Sequence, residues 1–508
     1  MAQSKRETER KYAAPAADDI AWLPDLARAH PGASLVDRGI QDLDAVYYDT
    51  ADLRLARGAA TLRRRTGGAD AGWHLKLPLA GDSREEVQAP LTDDVPDELR
   101  ALVHSRTRGA PVRPVVRIRT TRSVRDLVDA RGGALAELSL DTVRADSLVE
   151  GGGHAVWTEM EVELAEGGDP ALLDGVEKIL RKRGVGRAQS PSKLARALTE
   201  TTPGALGAEE PETDVVPGSA GAYLRDHLRE QIRALVDLDP AVRRGAPDSV
   251  HRMRVACRRL RGALRSYRSV LDRDVTDPVR GELRWLAGEL GPERDQEVLS
   301  ERLHAGVREL PAELVLGPVA ARLQTWDVAE RAATRGRTLA ALDSPRYTAL
   351  LDRLSELAAR PPLRAKARRR PEKVMVKSLV KEYGRLERRM DRALGLPPGP
   401  DRNAAVHQAR KAAKRLRYAA EAARPALGRP ARRLGKRVKA VQRVSGAHHD
   451  GVVTQDALRR LAVAAHAAGE SSFTWGLLHG QERVTAALRE EQLPEVWERA
   501  GKARSSLA

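Results

Sequence analysis

Two unlike regions are predicted for this 508-residue chain: a strand-rich, antiparallel domain over residues 1–200 and an all-helical domain over 218–508. Three observations carry that reading. In the first region apolar and charged residues alternate with period two, the mark of strands with two unlike faces. Beyond about residue 220 the pattern turns helical and rich in Ala, Leu and Arg. Between them, residues 201–217 are rich in Pro, Gly, Thr and acid without an apolar period, which reads as a linker.

Charge separates the two regions as well. The chain carries 88 Lys+Arg against 71 Asp+Glu, a formal net charge of +17. Residues 1–200 hold 30 basic and 32 acidic residues, so the excess lies beyond them, at 58 against 39. Such a surplus calls for an anionic partner. Aromatic residues are only 3% of the chain, which counts against stacking on nucleic-acid bases. No apolar run reaches the roughly 20 residues of a membrane-spanning helix. Residues 1–11 lack the apolar core of a secretory signal. The lone Cys257 excludes an intramolecular disulfide framework and a multi-cysteine zinc site. A cytoplasmic protein is expected.

Along the first region, strands are expected at 46–50, 61–65, 73–77, 115–119 and 157–164, with a Gly-rich hairpin loop at 67–72. Helical pieces are expected at 96–102 and 169–183. The alternation carries charge: Glu7, Glu9 and Lys11; Arg63 and Arg65; Arg117 and Arg119; Glu159, Glu161 and Glu163. Residues two apart in a strand point to one face, so each set is a comb. Each comb alone reads as the solvent side of a half-buried sheet. If all four share one interior, that interior must hold water, metal and an anion, because unpaired buried charge costs several kcal/mol, of the order of ~3–5. Clustered carboxylates suit Mg²⁺ or Mn²⁺. Paired arginines suit phosphate oxygens. A ligand needing both is a metal–polyphosphate.

The second region contains an internal repeat. His251, Arg254, Arg258 and Arg261 recur as His407, Arg410, Lys414 and Arg417, an offset of 156 residues. Gly291 and Asp295 recur as Gly446 and Asp450, at 155. Offsets of 0, 3, 7 and 10 fall within about 80° of a helix, so each copy carries one His and three cations along one stripe. A solvated basic face is the plain reading; an extended polyanion laid along the stripe would relieve the repulsion. Further cations lie at 363–370, Lys373, Lys377 and 432–439. Cys257 reads as a packing residue, and His448 and His449 as too isolated for a metal site.

The order of motifs resembles a known family. Glu7-Thr8-Glu9-Arg10-Lys11 (ExExK) is followed by Tyr47-Tyr48-Asp49-Thr50, the LRRR run ending at Arg65, and Lys76 in LKLP. Next come Arg84-Glu85-Glu86, the RIR of Arg117 and Arg119, Glu137 and Asp141 in ELSLDT, EMEVEL at 159–164, and Ser192-Lys193. Over residues 3–200 this resembles the CYTH family, the triphosphate tunnel metalloenzymes. The resemblance implies an eight-stranded antiparallel barrel forming a tunnel. It implies Mg²⁺ or Mn²⁺ on Glu7, Glu9 and two of Glu159, Glu161 and Glu163, with Asp141 joining them. It assigns catalysis to Glu7, Glu9, Lys11 and Lys76, and the grip on triphosphate to these lysines with Arg63, Arg65, Arg117, Arg119 and Lys193. Arg64 points the other way in its strand.

The H-x-x-R-x-x-x-R-x-x-R helices and G-x-x-x-D corners resemble the CHAD domain over about 218–505. That resemblance implies two pseudo-symmetric four-helix bundles. It also implies a groove for inorganic polyphosphate on His251, Arg254, Arg258, Arg261, His407, Arg410, Lys414 and Arg417. The expected function is metal-dependent hydrolysis of tripolyphosphate or short polyphosphate by a chain that also holds polyphosphate, without a membrane or nucleic-acid partner. The alternatives are a polyphosphate-targeting protein with little catalysis, and a tunnel enzyme acting on thiamine or nucleoside triphosphates.

Overall fold

Eight strands close into one antiparallel barrel in the first unit of the computed structural model. They are β1 (Gln3–Ala13), β2 (Ser34–Asp49), β3 (Thr61–Thr66), β4 (Gly72–Pro78), β5 (Ser83–Ala89), β6 (Arg113–Val128), β7 (Ala134–Ser147) and β8 (His154–Leu164). The order around the barrel is β1-β5-β4-β3-β2-β6-β7-β8. Residues 3–14, 21–68, 70–79, 81–207 and 215–501 are described. The chain divides into two compact units, Met1–Glu209 and Glu210–Ala508. Part of the expected linker, 208–214, lies outside the described residues.

Closure inverts the usual arrangement of a small barrel, because much of the interior is charged and the outer face is apolar. Trp73, Leu75, Leu77 and Val87 point outward from β4 and β5 onto Leu99, Leu102 and Val103 of the helix Asp97–Thr107. Leu138, Met160 and Val162 of β7 and β8 point outward onto Leu172, Leu173, Val176 and Leu180 of the helix Ala171–Lys182. A third apolar cluster joins Val116, Ile118, Val143, Ala145 and Trp157 to Leu194 and Leu198 of the helix Lys193–Thr201. Val116, Ile118, Val143 and Ala145 alternate with outward residues, so this helix plugs one end of the barrel interior. Its N-cap, Ser192, accepts a hydrogen bond from Ala195 N at 3.1 Å.

The tight β3–β4 hairpin follows from Gly67 and Gly68, with φ of +79° and +72°. A Cβ on Gly67 would lie 2.3 Å from the Asp42 carbonyl oxygen, so the turn excludes any side chain there. The strand β5 escaped the period-two reading because Ser83-Arg84-Glu85-Glu86 is polar on both faces.

In the second unit the repeat appears as two sets of four helical segments. The first set is Ala220–Arg243, Ser249–Ser266, Arg273–Glu289 and Gly291–Glu309. The second is Pro371–Gly395, Pro400–Leu427 and the 39-residue helix Arg429–Ala467, which spans the third and fourth positions. The difference is chemical. Pro292 cannot donate a hydrogen bond into the preceding turn, and the first copy breaks at Leu290. Ser445-Gly446-Ala447 has no proline, and the second copy runs through. The Ser249–Ser266 and Pro400–Leu427 helices cross where Gly262 packs on Tyr418, positions that the 156-residue offset makes equivalent. One apolar core, from Ala220 to Ala500, joins the first three positions of both sets, and the fourth positions pack in a separate cluster around Leu299, Leu303, Leu458 and Trp475.

Candidate active site and anion-binding surface

The period-two strands aim their charges at one cavity of about 200 Å³. Glu7, Glu9 and Lys11 enter from β1, Arg63 and Arg65 from β3, Lys76 from β4, Glu86 from β5, Arg122 from β6, and Glu161 and Glu163 from β8. Lys193 enters from the plug helix.

Charge pairing orders this interior into two neighbourhoods. In the first, Lys76 Nζ lies 2.6 Å from Glu7 and 3.8 Å from Glu86. Glu86 also pairs with Arg63 at 3.8 Å and with His74 Nδ1 at 3.0 Å. Burial, against the pull of Lys76, pushes the Glu7 carboxyl up to about 7, with Glu86 adding to the rise. Glu86 itself stays well below the usual range: burial opposes this, but the His74 hydrogen bond and the Lys76 charge prevail. Burial, then the adjacent Arg63, brings Arg65 down to about 9; its guanidinium pairs with Asp70 in the β3–β4 loop.

In the second neighbourhood, Asp141, Glu159 and Glu161 bring one oxygen each within 4.8 Å of one another. Lys193 Nζ lies 2.8, 2.7 and 2.6 Å from these three carboxylates. Arg122 forks onto Asp141 at 2.8 Å and reaches Glu161 at 2.8 Å. Lys11 pairs with Glu161 and, at 3.3 Å, with Glu9. Burial would raise Glu9, but Lys11 and Lys76 hold it down to about 2. Three buried carboxylates with converging oxygens are the hard donors that a divalent cation such as Mg²⁺ takes, so this set fits a metal. Glu163 lines the cavity apart from the triad and pairs with Lys5 at 2.9 Å.

Asp141 and Glu159 lie buried behind Glu161 rather than on the cavity wall, and two other expected residues point away from the interior altogether. Arg117 and Arg119 lie on the outer face of β6, both exposed, where Arg117 forks onto Asp44 and Arg119 meets Asp146 at 2.6 Å. Their inward neighbours Val116 and Ile118 pack against the plug helix. The arginine that β6 does supply is Arg122, of opposite parity, and sequence reasoning missed it. It also missed the roles of Glu86, Arg84 and Glu137, all of which line the cavity. The parity of Val116 and Ile118, counted forward, was the available signal for Arg122.

The repeated stripes lie on the two crossing helices, Ser249–Ser266 and Pro400–Leu427. They are not freely solvated: Arg254 is buried, and His251, Arg258, Arg261, His407, Arg410, Lys414 and Arg417 are half-buried. Arg254 Nη1 donates to Gly291 O at 2.9 Å and Asp295 at 3.0 Å. Its counterpart Arg410 pairs with Asp450 at 3.4 Å, beside Gly446. The G-x-x-x-D corner thus anchors the first cation of each stripe. Burial, then Arg410 and Arg258, pushes the Lys414 ammonium down to about 7, so charges from both copies act on one group. Cys257 is a core residue, and its thiol is pushed up to about 12 by burial. Among the described residues, no helix is long and apolar enough to cross a membrane.

The CYTH domain family model matches residues 5–198, and the CHAD domain family model matches residues 226–459. An uncharacterized protein of Mycobacterium tuberculosis, found alike in strains CDC 1551 / Oshkosh and H37Rv, is 40% identical over 486 residues, covering 91% of this chain and 90% of the relative. Among solved structures, PptA from Streptomyces chartreusis aligns with 55% of this chain and 99% of its own, at 23% identity and a TM-score of 0.46. An adenylyl cyclase homologue from Hippeastrum, described as having a dominant triphosphatase activity, aligns with 38% of this chain and 96% of its own, at 19% identity and a TM-score of 0.26.

Proposed function

We propose, for a chain that belongs to the CYTH family in its first unit and to the CHAD family in its second, that the barrel hydrolyses inorganic triphosphate or short polyphosphate and the helical unit binds inorganic polyphosphate. The observation that carries the first half is the buried Asp141–Glu159–Glu161 triad, whose Glu161 lines the cavity together with Arg63, Arg65, Lys76 and Arg122. A cavity so rich in both signs suits a ligand that brings phosphate and metal together. Mg²⁺ or Mn²⁺ held there would supply charge neutralisation at phosphoryl oxygens and a more acidic bound water.

The chain's own residues account for the rest. Arg63, Arg65, Lys76, Arg122 and Lys11 offer a set of donors to the phosphoryl oxygens, the positioning and electrostatic work on which phosphoryl transfer depends. Glu7, up to about 7 and hydrogen-bonded by Lys76, is the carboxylate suited to take a proton from an attacking water. Among the described residues that line the cavity, the aromatic ring is Tyr47, whose hydroxyl accepts from Arg63 at 3.3 Å, so there is little to stack a base or thiazole.

For the helical unit, the half-buried, repeated stripes support a flexible, base-free polyanion. The test is phosphate release from tripolyphosphate, ATP, thiamine triphosphate and long polyphosphate with Mg²⁺ or Mn²⁺, alongside retention on immobilised polyphosphate. Fastest release from tripolyphosphate is expected, and no release from any substrate would overturn the enzymatic reading. Loss of retention on charge reversal at Arg258 and Arg410 is expected, and unchanged retention would overturn the binding reading.

A further inference from the structure

Each carboxylate of the buried triad has one oxygen held by a donor other than Lys193. Arg122 supplies two of these donors. Its Nε donates to Asp141 Oδ1 and its Nη2 to Glu161 Oε2, both at 2.8 Å. Glu159 is served differently: its Oε2 accepts from the indole Nε1 of Trp157 at 2.7 Å. The oxygens on which Lys193 converges are Asp141 Oδ2, Glu159 Oε1 and Glu161 Oε1.

The indole is held firmly in that place. Trp157 precedes Glu159 by two residues on β8, so both side chains point to the barrel interior. Val143 and Asp141 of β7 stand opposite them in register. The ring is buried and packs with Leu194 and Leu198 of the plug helix. Arg196 lies over its face, 4.8 Å from the centroid, and is itself tied to Glu200 at 2.7 Å. The plug helix therefore reaches Glu159 twice, directly through Lys193 and by way of the indole through Arg196.

We propose that Trp157 is a positioning residue that sets which cation the triad accepts. The role rests on the triad's holding a metal, and it adds a choice between metals. An indole N–H is a neutral donor. It fixes the Glu159 carboxylate without adding a further positive charge to those of Lys11, Lys193 and Arg122, against which a cation would have to bind. It also occupies one oxygen, so Glu159 offers a cation one oxygen rather than two. Mg²⁺ and Mn²⁺ suit a compact octahedral set, whereas Ca²⁺ gathers about six to eight oxygens and draws on both oxygens of a carboxylate. With the donor in place the triad favours the smaller ion. Without it, Glu159 Oε2 is released and the triad opens to Ca²⁺.

The test titrates Mn²⁺ and Ca²⁺ separately, by calorimetry and without phosphate, into the full-length protein and two variants. Trp157→Phe keeps a ring against the plug helix but removes the donor. Trp157→Gln keeps an N–H at the same number of bonds from Cβ but removes the ring. In Trp157→Phe, Mn²⁺ affinity is expected to fall about tenfold, a usual loss when the donor behind a metal ligand is removed. Ca²⁺ affinity is expected to hold or rise, so the preference for Mn²⁺ falls at least about tenfold. In Trp157→Gln the preference is expected to stay within about threefold of the unaltered protein. Equal weakening of both ions in Trp157→Phe means that the indole only packs, and overturns the proposal. Should Trp157→Phe fold poorly, Trp157→Gln decides, and a lost preference there overturns it. Absence of Mn²⁺ binding to the unaltered protein overturns the metal reading of the triad, and the role of Trp157 with it, so the two failures are told apart by the unaltered protein alone.

Discussion

Lys193 Nζ lies 2.6 Å from the Glu161 carboxylate, and Glu161 is also claimed by Lys11 and Arg122. The Lys193 ammonium therefore stands among the oxygens that a divalent cation would use, and cation and lysine compete for them. Although burial opposes it, Asp141, Glu161 and Glu159 hold Lys193 well above the ordinary lysine range.

Lys193→Met removes the competing charge at similar length. Without metal, the exposed deficit is expected to cost on the order of 3–5 kcal/mol, since breaking a buried ion network strands its acids. Mn²⁺ binding, titrated calorimetrically without phosphate, is expected to tighten at least about tenfold, equivalent to ~1.4 kcal/mol. Unchanged Mn²⁺ affinity would show that lysine and cation do not share the triad.

Arg65 and Arg119 separate the inner from the outer face of the barrel. Arg65→Ala is expected to lower kcat/KM for tripolyphosphate by about 10²-fold or more, the usual loss for a donor to developing charge. Arg119→Ala, which releases only an exposed pair with Asp146, is expected to change it less than about threefold and stability by less than about 1 kcal/mol. Equal losses at the two positions would contradict the parity of β6.

Lys414 is expected to tie polyanion binding to pH. Burial pushes its folded pKa down to about 7 from the ordinary lysine value of 10.5, so between these two the unfolded chain binds more protons than the folded one. The contribution of Lys414 to stability therefore rises with pH through that window and is least favourable below about 7. A polyanion laid beside it would restore the charge, so binding at pH 8 is expected to take up a proton and to weaken as the pH climbs toward 9. Calorimetry in two buffers of different ionisation enthalpy measures the uptake. Lys414→Met should abolish it, and uptake that persists in the variant would move the effect elsewhere.

Leu198 tests the plug. It is fully buried between the helix Lys193–Thr201 and the inward apolar residues of β6 and β7. Leu198→Ala is expected to destabilise the first unit by about 2–5 kcal/mol. The melting of the second unit should be unaffected, which differential scanning calorimetry resolves as a shift of one transition.

Much of this was legible in advance because charge and apolar residues alternate so regularly. Glu7, Glu9, Lys11, Arg63, Arg65, Lys76 and Lys193 all lie in the cavity, since a strand comb is a strictly local signal. Arg117 and Arg119 misled for a non-local reason. Which face of β6 is interior depends on the plug helix Lys193–Thr201, far along the chain, whose apolar side chains claim Val116 and Ile118. Strand β5 hid because both its faces are polar, and Glu86 with it. The stripes were legible as a repeat, but that their two helices cross, with Gly262 against Tyr418, is a tertiary relation that no local pattern carries.

The plug helix also ties two jobs to one element. Its apolar face fills the end of the barrel interior that Val116, Ile118, Val143 and Ala145 line, while its first residue, Lys193, reaches the carboxylates of Asp141, Glu159 and Glu161. A stopper that carries a charge at its tip cannot be loosened without also moving that charge, so the seal of the barrel and the charge balance of its acidic cluster stand or fall together.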